Sequence, residues 1–140
     1  CCFIISPERE TVLRYRRMIS LSAPTPYDVW DRYLAIYGIE GVFPVAETPI
    51  GRLAAIASEE IQYPEIARMA ALRGAEVFVH PSSEAGSPSV STKELGRRAR
   101  AAENLAYVVS ANSAALTHIP IPAASTTGMS KIVDYHGQVL

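Results

Sequence analysis

The stretch "AAIASEEIQYPEIARMAALRGAEVFVHPSSE", residues 54–84, decides the fold. Both of its apolar ends are too uniformly hydrophobic to face water, which is typical of strands covered on both faces. Between them, Pro64 suits the first position of a helix, where its missing N–H costs nothing, and Gly74 suits the end of that helix. A strand, a helix and a second strand in this order predict an α/β fold with covered sheets.

The rest of the chain adds three hairpins, two helices and one more buried strand. Gly38 is placed to end the first of these helices, and Thr92 is predicted to be the N-cap of the last. A long loop rich in Ser, Gly and Pro covers residues 82–92. The predicted hairpins lie at residues 1–17, 41–58 and 130–140, the helices at 27–38 and 92–107, and the strand at 106–112.

Composition excludes several classes of function. The net charge is −1, so no basic surface suggests nucleic acid or anionic lipid, and no apolar run reaches the roughly 18 residues that span a bilayer. Cys1 and Cys2 are adjacent and cannot join distant segments, so we expect small buried hydrophobic side chains and a cytoplasmic protein. The three histidines are scattered without ligand spacing, and we expect no metal site.

The chain begins at Cys1 and ends at Leu140, both within strand-like runs. Native domains seldom begin and end inside an element. We therefore expect residues 1–140 to form a single partial domain of a longer protein.

Polar residues follow three of the predicted strands. They are Ser58, residues 82–84 and Asn112. Because loops at the carboxyl ends of such strands commonly carry the chemistry of α/β proteins, we expect these residues to share one pocket. The pattern alone names no reaction.

Four segments, in order along the chain, resemble the carbon–nitrogen hydrolases, the superfamily of nitrilases and aliphatic amidases. "ASEEIQYPEIAR" is similar to that family's nucleophile segment, and "LRYRRMISLSAP" to the segment that carries its lysine. "RARAAENLAYVVSAN" and "GMSKIVDYHGQVL" resemble two further signatures. Four segments in register span nearly the whole chain, so the resemblance strongly favours the family fold.

The resemblance implies an α-β-β-α sandwich of the nitrilase type, incomplete here because the chain corresponds to the central part of the domain. It also implies a homodimer or higher homo-oligomer, no cofactor, and hydrolysis of a small amide or nitrile. The family's triad is a glutamate base, a lysine that stabilises the oxyanion and a cysteine nucleophile. The glutamate is expected upstream of Cys1.

The sequence departs from this triad at both positions that it covers. Ser58 occupies the cysteine position and Arg17 the lysine position. A serine hydroxyl is far less acidic than a thiol, and a lone carboxylate is a poor base for it. Arg17 stays charged, so it cannot carry a proton, but it can donate to an oxyanion. The resemblance therefore implies Ser58 and Arg17 as catalytic residues with the activation of Ser58 in question.

Glu60 and Glu84 are the candidate substrate-binding residues. Glu60 matches the acidic residue two places after the family's nucleophile, and Glu84 lies in the loop after the next strand. Each candidate also has an ordinary interpretation. Ser58 is then a small residue tolerated at a strand end, Glu60 a solvated carboxylate and Arg17 part of an exposed basic edge. For His80, a hydrogen-bonded structural role is the preferred interpretation.

Three functions are compatible with these residues. The leading hypothesis is a hydrolase of small amides or nitriles. The alternative is a catalytically inactive homologue that acts as a binding or assembly subunit. A serine hydrolase unrelated to nitrilases has little support, because the sequence has no Gly-x-Ser-x-Gly motif and no obvious histidine partner for the serine.

Overall fold

A computed structural model describes residues 1–84, 91–114, 118 and 128–140. Within these residues lie seven strands and three α-helices, with short 3₁₀ helices at Pro26–Val29, Ile39–Gly41 and Ser58–Gln62. We call the last of these the elbow helix. The strands are β1 (Cys2–Ile5), β2 (Thr11–Tyr15), β3 (Ala46–Thr48), β4 (Gly51–Ala55), β5 (Val77–Ser82), β6 (Tyr107–Asn112) and β7 (Lys131–Val133). The α-helices are α1 (Trp30–Tyr37), α2 (Pro64–Leu72) and α3 (Thr92–Asn104).

A five-stranded sheet in the order β3-β4-β5-β6-β7 is the centre of the fold. Its three middle strands are parallel, and the two edge strands pair antiparallel to them. Strands β1 and β2 form a separate antiparallel hairpin. The predicted α/β class is therefore confirmed, and the parallel strands place the ends of β4, β5 and β6 at one edge of the sheet.

Helices α2 and α3 pack on one face of this sheet, because each carries an apolar stripe that needs cover. Phe78 of β5 and Val108 of β6 are fully buried in the core beneath them. Helices α2 and α3 contribute Ile66, Ala67, Ala70 and Ala101 to this core. His80 and Ser110 follow Phe78 and Val108 by two residues, so they lie on the same face of the sheet.

The three predicted hairpins are present, with β7 continuing into a turn that returns to an isolated bridge between Val133 and Val139. Two local predictions are wrong. The N-cap of α3 is Ser91, whose hydroxyl accepts from the backbone N–H of Glu94, and not Thr92. Cys1 is exposed and Cys2 half-buried, since their hairpin is not covered on both faces.

None of the helices in the described ranges combines the length and the apolar character needed to cross a bilayer. The stretch 85–90 of the predicted Ser/Gly/Pro-rich loop lies outside the described residues.

Candidate active site

The chain turns sharply at Ser58, just beyond the end of β4. The backbone N–H of Ile56 still bonds to the carbonyl of Val79 at 3.0 Å, which continues the sheet. Ser58 then adopts a φ of 50°, in the left-handed region. A residue with a side chain seldom adopts this conformation, and it persists only where the surroundings enforce it. Two buried side chains, described next, provide that enforcement.

Glu60 is one of them. Its Oε1 accepts hydrogen bonds from the Tyr15 hydroxyl at 2.8 Å and from the backbone N–H groups of Met18 and Ile19 at 2.7 and 3.0 Å. Its Oε2 accepts from the Ala57 N–H at 3.0 Å. Burial raises the pKa of the Glu60 carboxyl, and these hydrogen bonds oppose that rise. Glu60 therefore ties the chain after β2 to the residue before Ser58.

Because Glu60 is fully buried, the interpretation of it as a solvated carboxylate is wrong. Its predicted contact with substrate stays a prediction. The contacts that the structure gives it are those of a positioning residue.

His80 holds the other side of the elbow. Its Nε2 lies 2.8 Å from the carbonyl oxygen of Ser58, which can only accept, so Nε2 carries the hydrogen. The neutral ring then accepts at Nδ1 from the Ser110 hydroxyl, 2.9 Å away. Burial lowers the pKa of His80 to about 4, and the charges of Arg97 and Lys93 add to this effect. The expected structural role of this histidine is confirmed.

Arg97 connects α3 to the ends of the strands. Its Nε donates to Ser110 Oγ at 2.9 Å, and its Nη2 lies 2.8 Å from Glu84 Oε2. Both partners of this ion pair are buried. Burial by itself raises the pKa of Glu84, but hydrogen bonds from Ser91 and Arg97 and the positive charges of Arg97 and Lys93 bring it below its ordinary value. The predicted contact of Glu84 with substrate stays a prediction.

Lys93, in the first turn of α3, reaches the elbow. Its Nζ lies 3.2 Å from Ser58 Oγ and 3.5 Å from Ser82 Oγ, so it joins the ends of β4 and β5. The Asn112 Oδ1 accepts from the N–H of Glu84 at 2.7 Å and joins β5 to β6. The structure thus brings the polar strand ends together. The sequence analysis did not predict Lys93 as a site residue. The one sequence feature that could have indicated it is a basic residue at the start of the helix that follows the pocket loop.

Arg17 lies beside the elbow but faces other partners. It forms an ion pair with Glu59 at 3.0 Å and donates to Ser20 Oγ. It also lines an open cleft of about 730 Å³ that includes Ala57, the neighbour of Ser58. Among the described residues, no hydrogen bond joins Arg17 to Ser58. Its catalytic role stays a prediction.

The structure gives no support for a metal site within residues 1–84, 91–114, 118 and 128–140. No group of three or more His, Cys, Asp or Glu side chains there is arranged to hold a metal ion.

Comparison with known proteins places this geometry in a family. The whole chain, residues 1–140, matches the family model of the carbon–nitrogen hydrolases. The chain is 31% identical over 139 residues to the nitrilase and fragile histidine triad fusion protein NitFhit of Caenorhabditis elegans, covering 98% of this chain and 31% of that protein. The crystal structure of NitFhit superposes with a TM-score of 0.75 at 27% identity, over 98% of this chain and 33% of that one.

Two enzymes with defined chemistry are also similar. A formamidase of Bacillus thuringiensis is 34% identical over 113 residues, which cover 79% of this chain and 31% of the enzyme. A mutant of an amidase from Nesterenkonia carries the acetamide moiety of fluoroacetamide on its active-site cysteine. That structure matches with a TM-score of 0.59 and 29% identity, over 70% of this chain and 35% of the amidase.

The chain therefore belongs to the carbon–nitrogen hydrolase family, and it has the mixed α/β fold of nitrilase-type structures over part of that domain. It spans about a third of the length of these relatives.

Proposed function

We propose that this protein hydrolyses the C–N bond of a small amide, with Ser58 as the nucleophile. The family supports a carbon–nitrogen hydrolase. The formamidase and the Nesterenkonia amidase support short aliphatic amides as the substrate class.

One observation carries the proposal. Ser58 occupies a left-handed turn at the end of β4, with its hydroxyl in contact with an amine 3.2 Å away. A fixed turn presents the hydroxyl without the freedom of a flexible loop, and such preorganisation is what nucleophilic catalysis requires. Glu60 and His80 maintain that turn from its two sides. Arg17, which pairs with Glu59 of the elbow helix, carries a permanent positive charge of the kind that stabilises a developing oxyanion.

The test is ammonia release by the intact protein from formamide, acetamide and butyramide. The variants are Ser58→Ala and Ser58→Cys, with Ser6→Ala as the matched control, since Ser6 lies in the turn between β1 and β2 and its hydroxyl accepts from the backbone N–H of Glu10. We expect Ser58→Ala to lose at least about 1,000-fold in kcat/KM, because removal of a nucleophile costs several powers of ten. Ser6→Ala should keep the activity of the unsubstituted protein.

Ser58→Cys separates the hydrolase from the inactive homologue. A thiol is more acidic than a hydroxyl, so the variant is expected to remain active. Activity that appears only in Ser58→Cys would indicate an intact pocket without a working nucleophile. Absence of ammonia with every variant would refute the proposed hydrolysis and favour a binding or assembly subunit.

A further inference from the structure

We propose that Lys93 is the proton acceptor of Ser58, so that the two residues form a serine–lysine pair. The inference rests on the proposed function and names the group that activates the nucleophile. Lys93 Nζ lies 3.2 Å from Ser58 Oγ, within hydrogen-bond distance of the proton that must leave. Lys93 lies in the first turn of α3, which Ser91 caps by accepting from the N–H of Glu94 at 3.2 Å.

The other titratable side chains that the described residues place near the elbow have partners of their own. His80 uses both ring nitrogens, one on the Ser58 carbonyl and one on Ser110. Glu60 uses both carboxylate oxygens on other donors. Glu59 pairs with Arg17, which itself cannot accept a proton. Within the described part of the chain, Lys93 is the one side chain that is hydrogen-bonded to Ser58 Oγ.

The Lys93 amine contacts hydroxyl groups, while the charged side chains near it pair with one another. Across from α3, the positive charge of Lys93 contributes to lowering the pKa of His80 and that of Glu84. The neighbour of Lys93 on α3, Glu94, pairs with Lys131 and Arg97. Arg97 also pairs with Glu84. No carboxylate of the described residues lies within 4.0 Å of Lys93 Nζ, whose contacts are Ser58 and Ser82.

The proposed step balances with water as its only co-reactant. The deprotonated form of Lys93 takes the Ser58 proton as the Oγ–carbon bond forms. The resulting ammonium returns that proton to the amide nitrogen as the C–N bond breaks and ammonia leaves. Water then attacks the acyl-serine ester, gives its proton to Lys93, and the proton returns to Ser58 Oγ as the carboxylic acid is released.

The chain contains only two lysines, which provides a matched pair of variants. Lys93→Arg keeps the positive charge but removes the proton acceptor, so we expect kcat/KM for acetamide to fall at least about 100-fold, as general-base removal commonly does. Lys131→Arg keeps the ion pair of Lys131 with Glu94 and should stay within about threefold of the unsubstituted protein. Near-normal activity of Lys93→Arg would assign only an electrostatic role to Lys93 and overturn the inference.

Chemical rescue distinguishes a proton acceptor from a residue that has only a structural role. Lys93→Ala, verified as folded by circular dichroism, should regain activity with added ethylamine in proportion to the concentration of its free base. A folded Lys93→Ala variant that is fully active, or that ethylamine does not rescue, overturns the inference. If Ser58→Ala is inactive in the same assay, the proposed function stands even when this inference fails. Absence of ammonia from the unsubstituted protein would instead refute the proposed function.

Discussion

Lowering the pH from 7 to 5 is expected to destabilise the protein through His80. The neutral ring suits its surroundings, because Nε2 donates to the Ser58 carbonyl and Nδ1 accepts from Ser110. A second ring proton would lose the Ser110 bond and place a positive charge near Arg97 and Lys93. The pKa of His80 accordingly falls from 6.5 to about 4 on folding.

The sign and size follow from proton linkage. Between pH 6.5 and 4 the unfolded chain binds a proton at this residue that the folded protein does not, so stability is kept above pH 6.5 and lost as the pH falls toward 4. For these two pKa values, the His80 contribution to the free energy of unfolding decreases by about 2 kcal/mol between pH 7 and pH 5.

Urea unfolding at both pH values measures this contribution. We expect His80→Gln to be less stable than the unsubstituted protein at pH 7, and to show a pH dependence weaker by about 2 kcal/mol because its side chain does not titrate. His136→Gln is the control, since His136 is exposed, and should keep the original pH dependence. An unchanged pH dependence in His80→Gln would refute the account of how the elbow is held.

Two further predictions concern the packing around the elbow. Glu60→Ala leaves four donors, two buried and two part-buried, without their acceptor and should destabilise the protein by about 4 kcal/mol or more, whereas Glu60→Gln, which turns an NH₂ toward Ala57, should cost about 1–3 kcal/mol. A loss below about 1 kcal/mol for Glu60→Ala in urea unfolding would contradict this. Gly96→Ala would place a Cβ 2.7 Å from the carbonyl oxygen of Ile61, and we expect a loss of about 1–3 kcal/mol in the same assay. Leu95→Ala, at an exposed position of the same helix, should change stability by less than about 0.5 kcal/mol, and equal losses in both variants would argue against the close approach.

The helices and buried strands could be predicted because their signals are local. Pro64 opens α2, and Gly38 ends α1 in the left-handed conformation that glycine tolerates. The N-cap of α3 was misplaced by one residue because Ser91 and Thr92 are both good capping residues, and only the three-residue reach from Ser91 to Glu94 distinguishes them.

The burial of Cys2 could not be predicted because a strand-like run does not reveal how many faces its sheet covers. Strand β1 pairs only with β2 and alternates between half-buried and exposed positions.

The interior of the site could be predicted only in part. Family motifs made Ser58 a candidate, and the strand ends indicated where polar residues would gather. Lys93 is 35 residues from Ser58 along the chain, and His80 is 22 residues away, so their contacts depend on strand order and helix position. The buried role of Glu60 also depends on a partner 45 residues away, Tyr15. The predicted homo-oligomer and the cytoplasmic location stay predictions.

The most direct measurement of the central claim is the site of acylation. The intact protein is mixed with acetamide or butyramide, quenched in acid during turnover and digested with trypsin, which releases residues 53–68 as one peptide between Arg52 and Arg68. Ser58 is the only serine in that peptide. Our account predicts an acetyl or butyryl mass increase that fragmentation assigns to Ser58 and that is absent from Ser58→Ala. Ammonia release with no acyl group on Ser58, or with an acyl group on another residue, would contradict it.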